Sequence, residues 1–413
     1  MKLFFPDHQD MVDPGFDFIN EQHHPNRIRQ RTDHYAHELF ESPPYHGILL
    51  SKTAIDGFGG NSRYTFAQKQ RFQREGIREF FRLDRPDGFT LESMGDCGAF
   101  SYFREEKPPF SVEELIQFYE NNGFNYGCSL DHIILEYRPD NQLKKKSEGQ
   151  PLSELHRRQQ LTLELAEEFF RKVNAFRCHF IPIGVAQGWS PETYAESVRI
   201  LQQIGYEWIA IGGIAYRTTP EILTCLETIN QFRSPKTKLH LFGVSRWESL
   251  QEFARLGVAS IDSTSPLKQA FKEDTDNYYT PHKKFTAIRI PQIQGCLKLH
   301  QKILSGMVDP DEAQKREQLC LQTVLKYSQG LANVSETLSA LLHYEELHDG
   351  KHNHYEMYRE VLELQPWKAC HCPICKKIGI QVIIFRGLER NKRRGFHNLF
   401  VSFQQHMSNS IQV

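Results

Sequence analysis

Three cysteines lie within six positions near the end of the chain, in the segment CHCPIC. Cys370, Cys372 and Cys375 supply three thiolates, whereas tetrahedral zinc requires four ligands. His397 follows Cys375 by 22 residues, beyond a short β-like run and a turn, so the chain can fold back to deliver the fourth. A site closed by four protein side chains is structural rather than catalytic. The spacing predicts a structural Zn²⁺ site; the alternative is that the cysteines are close only in sequence.

Three aspartates indicate a second kind of chemistry. Asp96, Asp131 and Asp262 lie at or near the ends of apolar runs, flanked by small or apolar residues rather than by lysine and arginine. A carboxylate in such surroundings is costly unless it is hydrogen-bonded or used. Two carboxylates across a sugar carbon can break a glycosidic bond with retention, one as nucleophile and the other moving protons. Together they indicate glycosyl transfer, although each aspartate taken singly is more often a cap or turn residue.

Two glycine-rich segments, GVAQG and IGGIA, let the backbone approach a ligand closely. Neither matches a dinucleotide or mononucleotide phosphate fingerprint, so no NAD or ATP site is expected. A glutamine in the first segment can pair with the polar edge of a base, and two phenylalanines form either a stacking slot or part of the core. The residues concerned are Gln187, Gly212, Gly213, Phe100 and Phe242.

The charge of the 413-residue chain is nearly balanced, with 50 basic and 51 acidic residues and a formal net charge of -1. This excludes a uniformly basic nucleic-acid-binding protein, so any such contact must be local. Between residues 368 and 394, eight basic residues accompany the single acid Glu389. Phosphate contact and a solvated helix face are both open interpretations of this strip. The basic residues are Lys368, Lys376, Lys377, Arg386, Arg390, Lys392, Arg393 and Arg394.

The composition is that of an ordinary globular protein, with 24% charged and 39% hydrophobic residues. No run of 18 apolar residues occurs, and the start MKLFFPDHQD lacks a signal-peptide core. A soluble, cytoplasmic protein without membrane contact is therefore expected. The remaining six of the nine cysteines are scattered singly, which argues against a disulfide framework.

The middle of the chain alternates between strand-like and helix-period stretches, which indicates repeated parallel βαβ units. A doubly wound sheet and a closed barrel both fit this alternation. Polar residues at the ends of several consecutive strands favour an α/β fold of the (β/α)8 TIM barrel class. The predicted strands are 46–51, 128–135, 178–187, 208–213, 238–244 and 258–263, and the predicted helices are 112–122, 152–174, 191–204, 220–231 and 246–256.

After about residue 295 the alternation stops. Helices are predicted over 313–342 and 352–364, a β-like run over 380–385, and a basic helix from 387. We therefore expect a barrel domain with an N-terminal extension over residues 1–295, and a helical segment with a zinc-binding subdomain returning to the barrel over 296–413. The lysines at 144–146 are most simply part of a solvated loop.

Five segments, in order from about Asp96 to His397, resemble the queuine/archaeosine tRNA-guanine transglycosylase superfamily. GDCGAF resembles its D-S-G-G-[FY] motif, GVAQG its G-[IL]-V-Q-G motif, and IGGIA its G-G-L-A motif. GVASIDSTSP resembles G-[IV]-D-x-F-D-C-x-x-P, with Asp262 on the last aspartate, and the cysteine segment with its histidine resembles the zinc site. Each segment alone is a weak signal, but five in the right order are strong.

The departures from these motifs favour one branch. Thr218 stands where queuosine-type enzymes place a glutamate, which suits a neutral substituent such as a nitrile on the incoming base. Ser263 replaces the cysteine that usually follows the second aspartate. These changes and the N-terminal FFPDHQDMVDPGFDF resemble the DNA-guanine transglycosylases of bacterial 7-deazapurine-in-DNA modification systems. A tRNA-directed transglycosylase and a non-catalytic nucleic-acid-binding paralogue stay open as alternatives.

The resemblance implies a pentosyltransferase that exchanges a flipped-out guanine in DNA for 7-cyano-7-deazaguanine. It implies Asp262 as the nucleophile of a covalent aspartyl–sugar intermediate and Asp96 as the general acid and base. Further partners would be other proteins of the modification system and a second copy of the chain. By the same resemblance, the base would be read by Asp131, Gln187, Gly212 and Gly213 and stacked by Phe100 and Phe242.

Overall fold

The structure, a computed structural model, describes residues 1–60, 62–139, 150–272, 275–349 and 353–411, with side chains as far as residue 407. The lysines at 144–146 and residue 352, the first of a predicted helix, lie outside the described residues. Among the residues described, no helix combines the length and the apolar composition needed to cross a membrane.

Eight parallel strands form a closed barrel in which neighbours in sequence are neighbours in space. The first strand closes the ring by pairing with the last strand on one side and the second on the other. This confirms the predicted α/β fold with a (β/α)8 barrel. The strands are β1 (Lys2–Pro6), β2 (Gly47–Ser51), β3 (Glu92–Asp96), β4 (Tyr126–Cys128), β5 (Ile181–Ala186), β6 (Trp208–Ile211), β7 (Lys238–Leu241) and β8 (Val258–Asp262).

The barrel interior is a packed apolar core, as expected for strands buried on both faces. Glycines let the outer helices approach: a Cβ at Gly95 would lie 2.2 Å from the ring of Tyr119. The inner cluster consists of Phe4, Leu49, Met94, Tyr126, Cys128, Ile183, Val185, Trp208 and Ala210. The side chains at the strand ends are thereby held on a rigid frame.

Several helices of the barrel begin at side-chain caps, among them those that follow Thr65, Ser111 and Ser190. Ser190 accepts a hydrogen bond from the N–H of Thr193 at 3.3 Å, and Pro191 occupies the first turn, as the sequence predicts. The helices are Lys52–Asp56, Phe66–Phe80, Val112–Asn121, Leu152–Phe176, Pro191–Ile204, Thr219–Asn230 and Leu250–Arg255.

The strand predicted over 128–135 is wrong in extent, because β4 ends at Cys128. Beyond Cys128, side chains rather than a neighbouring strand accept the backbone N–H groups. The Gln187 side chain accepts from the N–H of Ile134 at 3.1 Å, and the Thr162 hydroxyl accepts from the N–H of His132 at 3.0 Å. The helix predicted over 246–256 is a 3-10 turn at Trp247–Ser249 followed by Leu250–Arg255.

Two barrel strands, β1 and β3, escape prediction from the sequence. Pro6 ends the first after only four other residues, and the second carries serine, glycine and aspartate among its five residues. Neither stretch has the apolar run or the strict alternation that marks a strand in isolation. Both are strands because the ring requires them as partners.

Contacts group the chain into two compact units: Met1–Gln9 with Tyr45–Thr264, which contains the barrel, and Asp10–Pro44 with Ser265–Val413. By contacts the boundary follows Thr264. The prediction that residues 1–295, including the N-terminal extension, and residues 296–413 are separate domains stays a prediction. Limited proteolysis can test it.

The second unit is mainly helical. The helix predicted over 313–342 is two helices, since Gly330 adopts a positive φ of 76° after the first and Asn333 caps the second. The run predicted as β-like over 380–385 is a 3-10 turn at Gly379–Ile383 that leads into the short strand Ile384–Phe385. The longer helices are Leu297–Leu304, Pro310–Ser328, Val334–His348, Tyr355–Leu364 and Gly387–Ile411.

Candidate active site and metal site

The carboxyl-terminal ends of the barrel strands bring the sequence-predicted polar residues to one mouth. Asp96 is the last residue of β3 and Asp262 the last of β8. Gln187, Gly212 and Phe242 are the first residues after β5, β6 and β7, and Asp131 follows β4 by three residues. These are the positions at which barrel enzymes assemble their active sites.

Asp262 is held through one of its two carboxylate oxygens. Its Oδ1 accepts the backbone N–H of Gly243 at 2.9 Å and lies 3.2 Å from Nε2 of His240. Its Oδ2 has no hydrogen-bond partner among the residues that the structure describes. The carboxylate is therefore oriented, and the second oxygen is available to a ligand.

Asp96 lies close to a second carboxylate. One oxygen of Asp96, one of Asp131 and the Sγ of Cys97 all lie within 4.8 Å of one another. Burial, together with the negative charges of Asp131 and Asp262, raises the pKa of Asp96 to about 7. A carboxyl with that pKa both gives up and takes up a proton near neutral pH, as a general acid and base must.

Asp131 belongs to a buried polar network beside the mouth. Its Oδ2 accepts from Nε2 of Gln187 at 2.6 Å, and its Oδ1 accepts from the thiol of Cys97 at 2.9 Å. Burial raises the pKa of Asp131 to about 6, against the effect of these two hydrogen bonds. The network holds the Asp131 carboxylate and the Gln187 amide in fixed orientations before a ligand arrives. The entropic cost of ordering these two side chains on binding is therefore small.

Gly212 and Gly213 are needed where the chain passes this network. A Cβ at Gly212 would lie 2.1 Å from Nε2 of Gln187, and Gly213 has a positive φ of 70°. Any larger residue would push the glutamine away or strain the backbone. The segment IGGIA therefore lies directly against the segment GVAQG, as it must if both contribute to one ligand site.

The structure separates the two phenylalanines by environment. Phe100 is 54% exposed and has Phe103 and Tyr216 as ring neighbours at 5.9 and 6.4 Å. Phe242 is half-buried, packs against the barrel core, and meets the His240 ring edge-on at 4.9 Å. Both follow strand ends at the mouth, and a slot between them stays a prediction.

The four predicted metal ligands come together within the second unit. Nδ1 of His397 lies 3.6, 3.4 and 3.5 Å from the sulfurs of Cys370, Cys372 and Cys375. A tetrahedral ion with bonds of about 2.3 Å to sulfur and about 2.0 Å to nitrogen places those atoms about 3.5 Å apart. The other ring nitrogen of His397 donates to the carbonyl of Tyr279 at 2.7 Å, which fixes the tautomer in which Nδ1 is free to coordinate. The residues present therefore fit such an ion.

A known protein is similar to this chain over nearly its whole length. No family model matches the chain. A DNA-guanine transglycosylase of Salmonella montevideo is 46% identical over 410 residues, which are 98% of this chain and 96% of the relative. This chain belongs to the DNA-guanine transglycosylase family. The resemblance inferred from the five motifs is thereby confirmed, including its branch.

In this family member the basic strip corrects the sequence prediction. Arg390, Arg393 and Arg394 are buried and engaged by protein groups, so they are not a phosphate-binding surface. Arg390 pairs with Glu21 at 2.5 Å, and Arg393 pairs with Glu389. These arginines face inward because their long side chains donate to backbone carbonyls inside the second unit, which composition cannot show.

Of the lysines in the strip, Lys376, Lys377 and Lys392 are the ones predicted to bind nucleic acid, and they differ from the arginines. Lys376 and Lys377 are exposed, and Nζ of Lys377 reaches the carbonyl of Pro14 at 3.3 Å. Lys392 is half-buried and donates to the carbonyl of Met11 at 3.1 Å. Phosphate contact stays a prediction for the two exposed lysines.

Replacing Arg394 by methionine is expected to destabilise the protein by about 3 kcal/mol. The fully buried guanidinium donates to the carbonyls of Ile384 at 3.0 Å and Ala270 at 2.6 Å, and methionine would leave these acceptors unpaired. Urea unfolding of the variant measures the effect, with Lys376→Met as the exposed control. A loss below about 0.5 kcal/mol would contradict a structural role.

One residue at the mouth was missed by sequence reasoning. His240 lies within β7 and contacts both Ser260 and Asp262, although it belongs to none of the five motifs. The signal was present: a histidine in the apolar strand LHL is a buried polar group that requires a partner. Only the parallel register of β7 and β8, which pairs His240 with Ser260, identifies that partner.

Proposed function

We propose that this chain exchanges guanine in DNA for 7-cyano-7-deazaguanine through a covalent aspartyl–sugar intermediate. The observation that carries the proposal is the contrast between two carboxylates at one barrel mouth. Asp262 presents one oxygen that has no hydrogen-bond partner within the described part of the chain, whereas the pKa of Asp96 is raised to about 7. The name of the relative from Salmonella montevideo supports guanine in DNA as the target.

The first half of the reaction forms one bond and breaks one. Oδ2 of Asp262 attacks C1′ of a flipped-out deoxyguanosine, and the bond between C1′ and N9 breaks. The electron pair of that bond goes to guanine, which takes a proton from Asp96. In the second half the incoming base gives its proton to Asp96, its N9 attacks C1′, and Asp262 departs as a carboxylate. Two displacements at C1′ give retention, and one N-glycosidic bond replaces another without ATP.

Base recognition falls to the network beside the mouth. The Asp131 carboxylate, the Gln187 amide and the backbone at Gly212 and Gly213 would read the Watson–Crick edge, with a stacking contribution from the phenylalanines at positions 100 and 242. The support is the pre-oriented hydrogen bond of 2.6 Å between Gln187 and Asp131. Guanine and its 7-deaza analogue share this edge, so both halves of the exchange can use one site.

The residue at position 218 bears on the substituent of the incoming base. Thr218 caps helix Thr219–Asn230, and its hydroxyl donates to the carboxylate of Glu221 at 2.9 Å. We propose that the neutral nitrile is preferred over a charged aminomethyl group. A competition between 7-cyano- and 7-aminomethyl-7-deazaguanine tests this, and a preference for the aminomethyl base would overturn it.

The metal site is proposed to hold Zn²⁺ with a structural role. Three thiolates and an imidazole are the ligand set that favours zinc, and all four coordination positions are protein side chains. When bound, the ion cross-links the segment around Cys370 to helix Gly387–Ile411. No step of the exchange involves it.

Nucleoside mass spectrometry decides between DNA and tRNA as the substrate. The protein is incubated with labelled 7-cyano-7-deazaguanine and either duplex DNA or tRNA, and the nucleosides are then analysed. Label in deoxynucleosides alone is expected. Label confined to tRNA would favour the tRNA-directed alternative, and binding without label in either polymer would favour a non-catalytic paralogue.

Partners other than DNA and the base stay predictions. A second copy of the chain is tested by light scattering of the purified protein. Other proteins of a modification system are tested by whether exchange on duplex DNA requires added components when exchange on single-stranded DNA does not.

The exchange rate is expected to fall above pH 7, by about tenfold per pH unit. Asp96 must carry a proton to protonate guanine, and its pKa is raised to about 7, so its protonated fraction declines as the pH rises through that value. Single-turnover rates between pH 5.5 and 9 measure this fall in the exchange rate, and DNA binding measured over the same pH range is the control. A rate that stays constant from pH 6 to 9 would exclude Asp96 as the acid.

A further inference from the structure

His240 is a buried polar residue directly behind the candidate nucleophile. It is fully buried within β7, its Nδ1 lies 2.8 Å from the hydroxyl of Ser260, and its Nε2 lies 3.2 Å from Oδ1 of Asp262. The rings of Phe4 and Phe242 meet it edge-on at 6.2 and 4.9 Å. The imidazole is therefore confined between apolar walls, with each of its nitrogens next to a polar partner.

We propose that His240 is a positioning residue for Asp262. Together with the N–H of Gly243, it holds Oδ1 so that Oδ2 is the oxygen that attacks C1′. This inference rests on the proposed function, because it assigns a role within that reaction. The hydrogen bonds to Oδ1 are present before any substrate arrives, so the orientation costs nothing at the moment of attack.

The hydrogen-bond partners determine which nitrogen of His240 carries the proton. The proposed nucleophile attacks as a carboxylate, which only accepts hydrogen bonds, so in that reaction Nε2–H donates to Asp262. In the neutral ring Nδ1 then accepts, and the hydroxyl of Ser260 is its donor. Ser260 thus selects the tautomer that can serve Asp262.

The donors to Oδ1 matter most when the carboxylate leaves. In the covalent intermediate Oδ2 is bonded to C1′, and Oδ1 is the carbonyl oxygen of a neutral ester. When N9 of the incoming base attacks C1′, the bond from C1′ to Oδ2 breaks and negative charge returns to the carboxylate of Asp262. Donors already in place at Oδ1 stabilise that charge as it develops.

Three variants test this role. His240→Phe keeps a ring but removes both nitrogens, whereas His240→Gln keeps an amide N–H that can reach Oδ1. His46→Phe is the matched control, since His46 accepts the backbone N–H of Leu3 in the same barrel at 3.0 Å. The measurements are kcat and KM for labelled 7-cyano-7-deazaguanine with DNA, the fraction of protein covalently bound to DNA on a denaturing gel, and the melting temperature.

We expect His240→Phe to lower kcat by about 10- to 100-fold, with KM for the base within about threefold of wild type. The covalent adduct should still form, because the N–H of Gly243 still holds Oδ1 for the attack and the departure of the carboxylate is the step slowed most. His240→Gln should recover about tenfold in kcat, and His46→Phe should retain wild-type kcat. Wild-type kcat in His240→Phe, equal loss in the phenylalanine and glutamine variants, or loss of the covalent adduct would each overturn the proposal.

Two further outcomes separate this proposal from the function on which it rests. Failure of the wild-type protein to exchange the base overturns the proposed function, whereas an active wild type with an unaffected His240→Phe overturns only the positioning role. If His240→Phe does not fold, Ser260→Ala carries the test. It should lower kcat about three- to tenfold through loss of the tautomer partner, and an unchanged kcat would overturn the proposal.

Discussion

Asp262→Asn is expected to abolish base exchange, with a loss of at least about 10⁴-fold in the single-turnover rate. The amide nitrogen that replaces Oδ2 has no lone pair available for attack on C1′. The amide oxygen can still accept from Gly243 and from His240, as Oδ1 does at 2.9 and 3.2 Å. Because asparagine has the shape of aspartate and keeps both contacts, the fold and metal content should not change.

The measurement is incorporation of labelled 7-cyano-7-deazaguanine into DNA, together with the covalent protein–DNA adduct on a denaturing gel. Asp87→Asn, at an exposed turn residue, is the matched control and should exchange at the wild-type rate. Intact-mass analysis excludes deamidation of the new asparagine back to aspartate. Exchange above about 1% of wild type in an intact Asp262→Asn protein would show that another group is the nucleophile.

Cys375→Ser is expected to release the metal ion and to unfold part of the second unit. Structural zinc contributes about 10–16 kcal/mol to the folding of small zinc-dependent peptides, which is comparable to the whole free energy of unfolding of a typical domain. Cys375 is buried, and its sulfur faces the hydroxyl of Tyr278 at 3.3 Å as well as the ring of His397. A serine there is too short and too hard a ligand to complete the site.

Metal content by mass spectrometry and unfolding by urea measure this effect. Cys320→Ser is the control, because Cys320 is another buried thiol of the same unit that is not among the four ligands. It should lose about 1–2 kcal/mol of stability while keeping one ion per chain. A Cys375→Ser protein that retains a full ion and wild-type stability would show that the cluster is not a metal site.

The sequence is most informative where chemistry forces residue type and spacing together. The spacing of Cys370, Cys372 and Cys375 predicts a metal site, and the sulfurs lie where a tetrahedral ion needs them. Asp96 and Asp262 are recognisable as a set, because carboxylates flanked by small or apolar residues are costly unless they are hydrogen-bonded or used. Six of the eight barrel strands are found in the same way, from runs that must be buried on both faces.

Sequence reasoning is least informative where burial decides the role. From the sequence, Arg390 and Arg394 are predicted to contact phosphate, but both are buried. The prediction is wrong because composition does not distinguish an arginine that donates to backbone carbonyls from one that faces water. β3 is too polar to be recognised alone, and it is a strand because neighbouring strands supply its hydrogen bonds.

The sequence by itself determined the fold class and pointed to the cluster of three cysteines and a histidine and to the two carboxylates, because each depends on local residue type, period or spacing. Only the tertiary structure decided what those residues face. Closing the barrel places His240 beside Asp262, and raises the pKa of Asp96 to about 7 by burying it near two like charges. Hydrogen-bond partners, burial and charge proximity arise between strands far apart in sequence, so no local pattern encodes them.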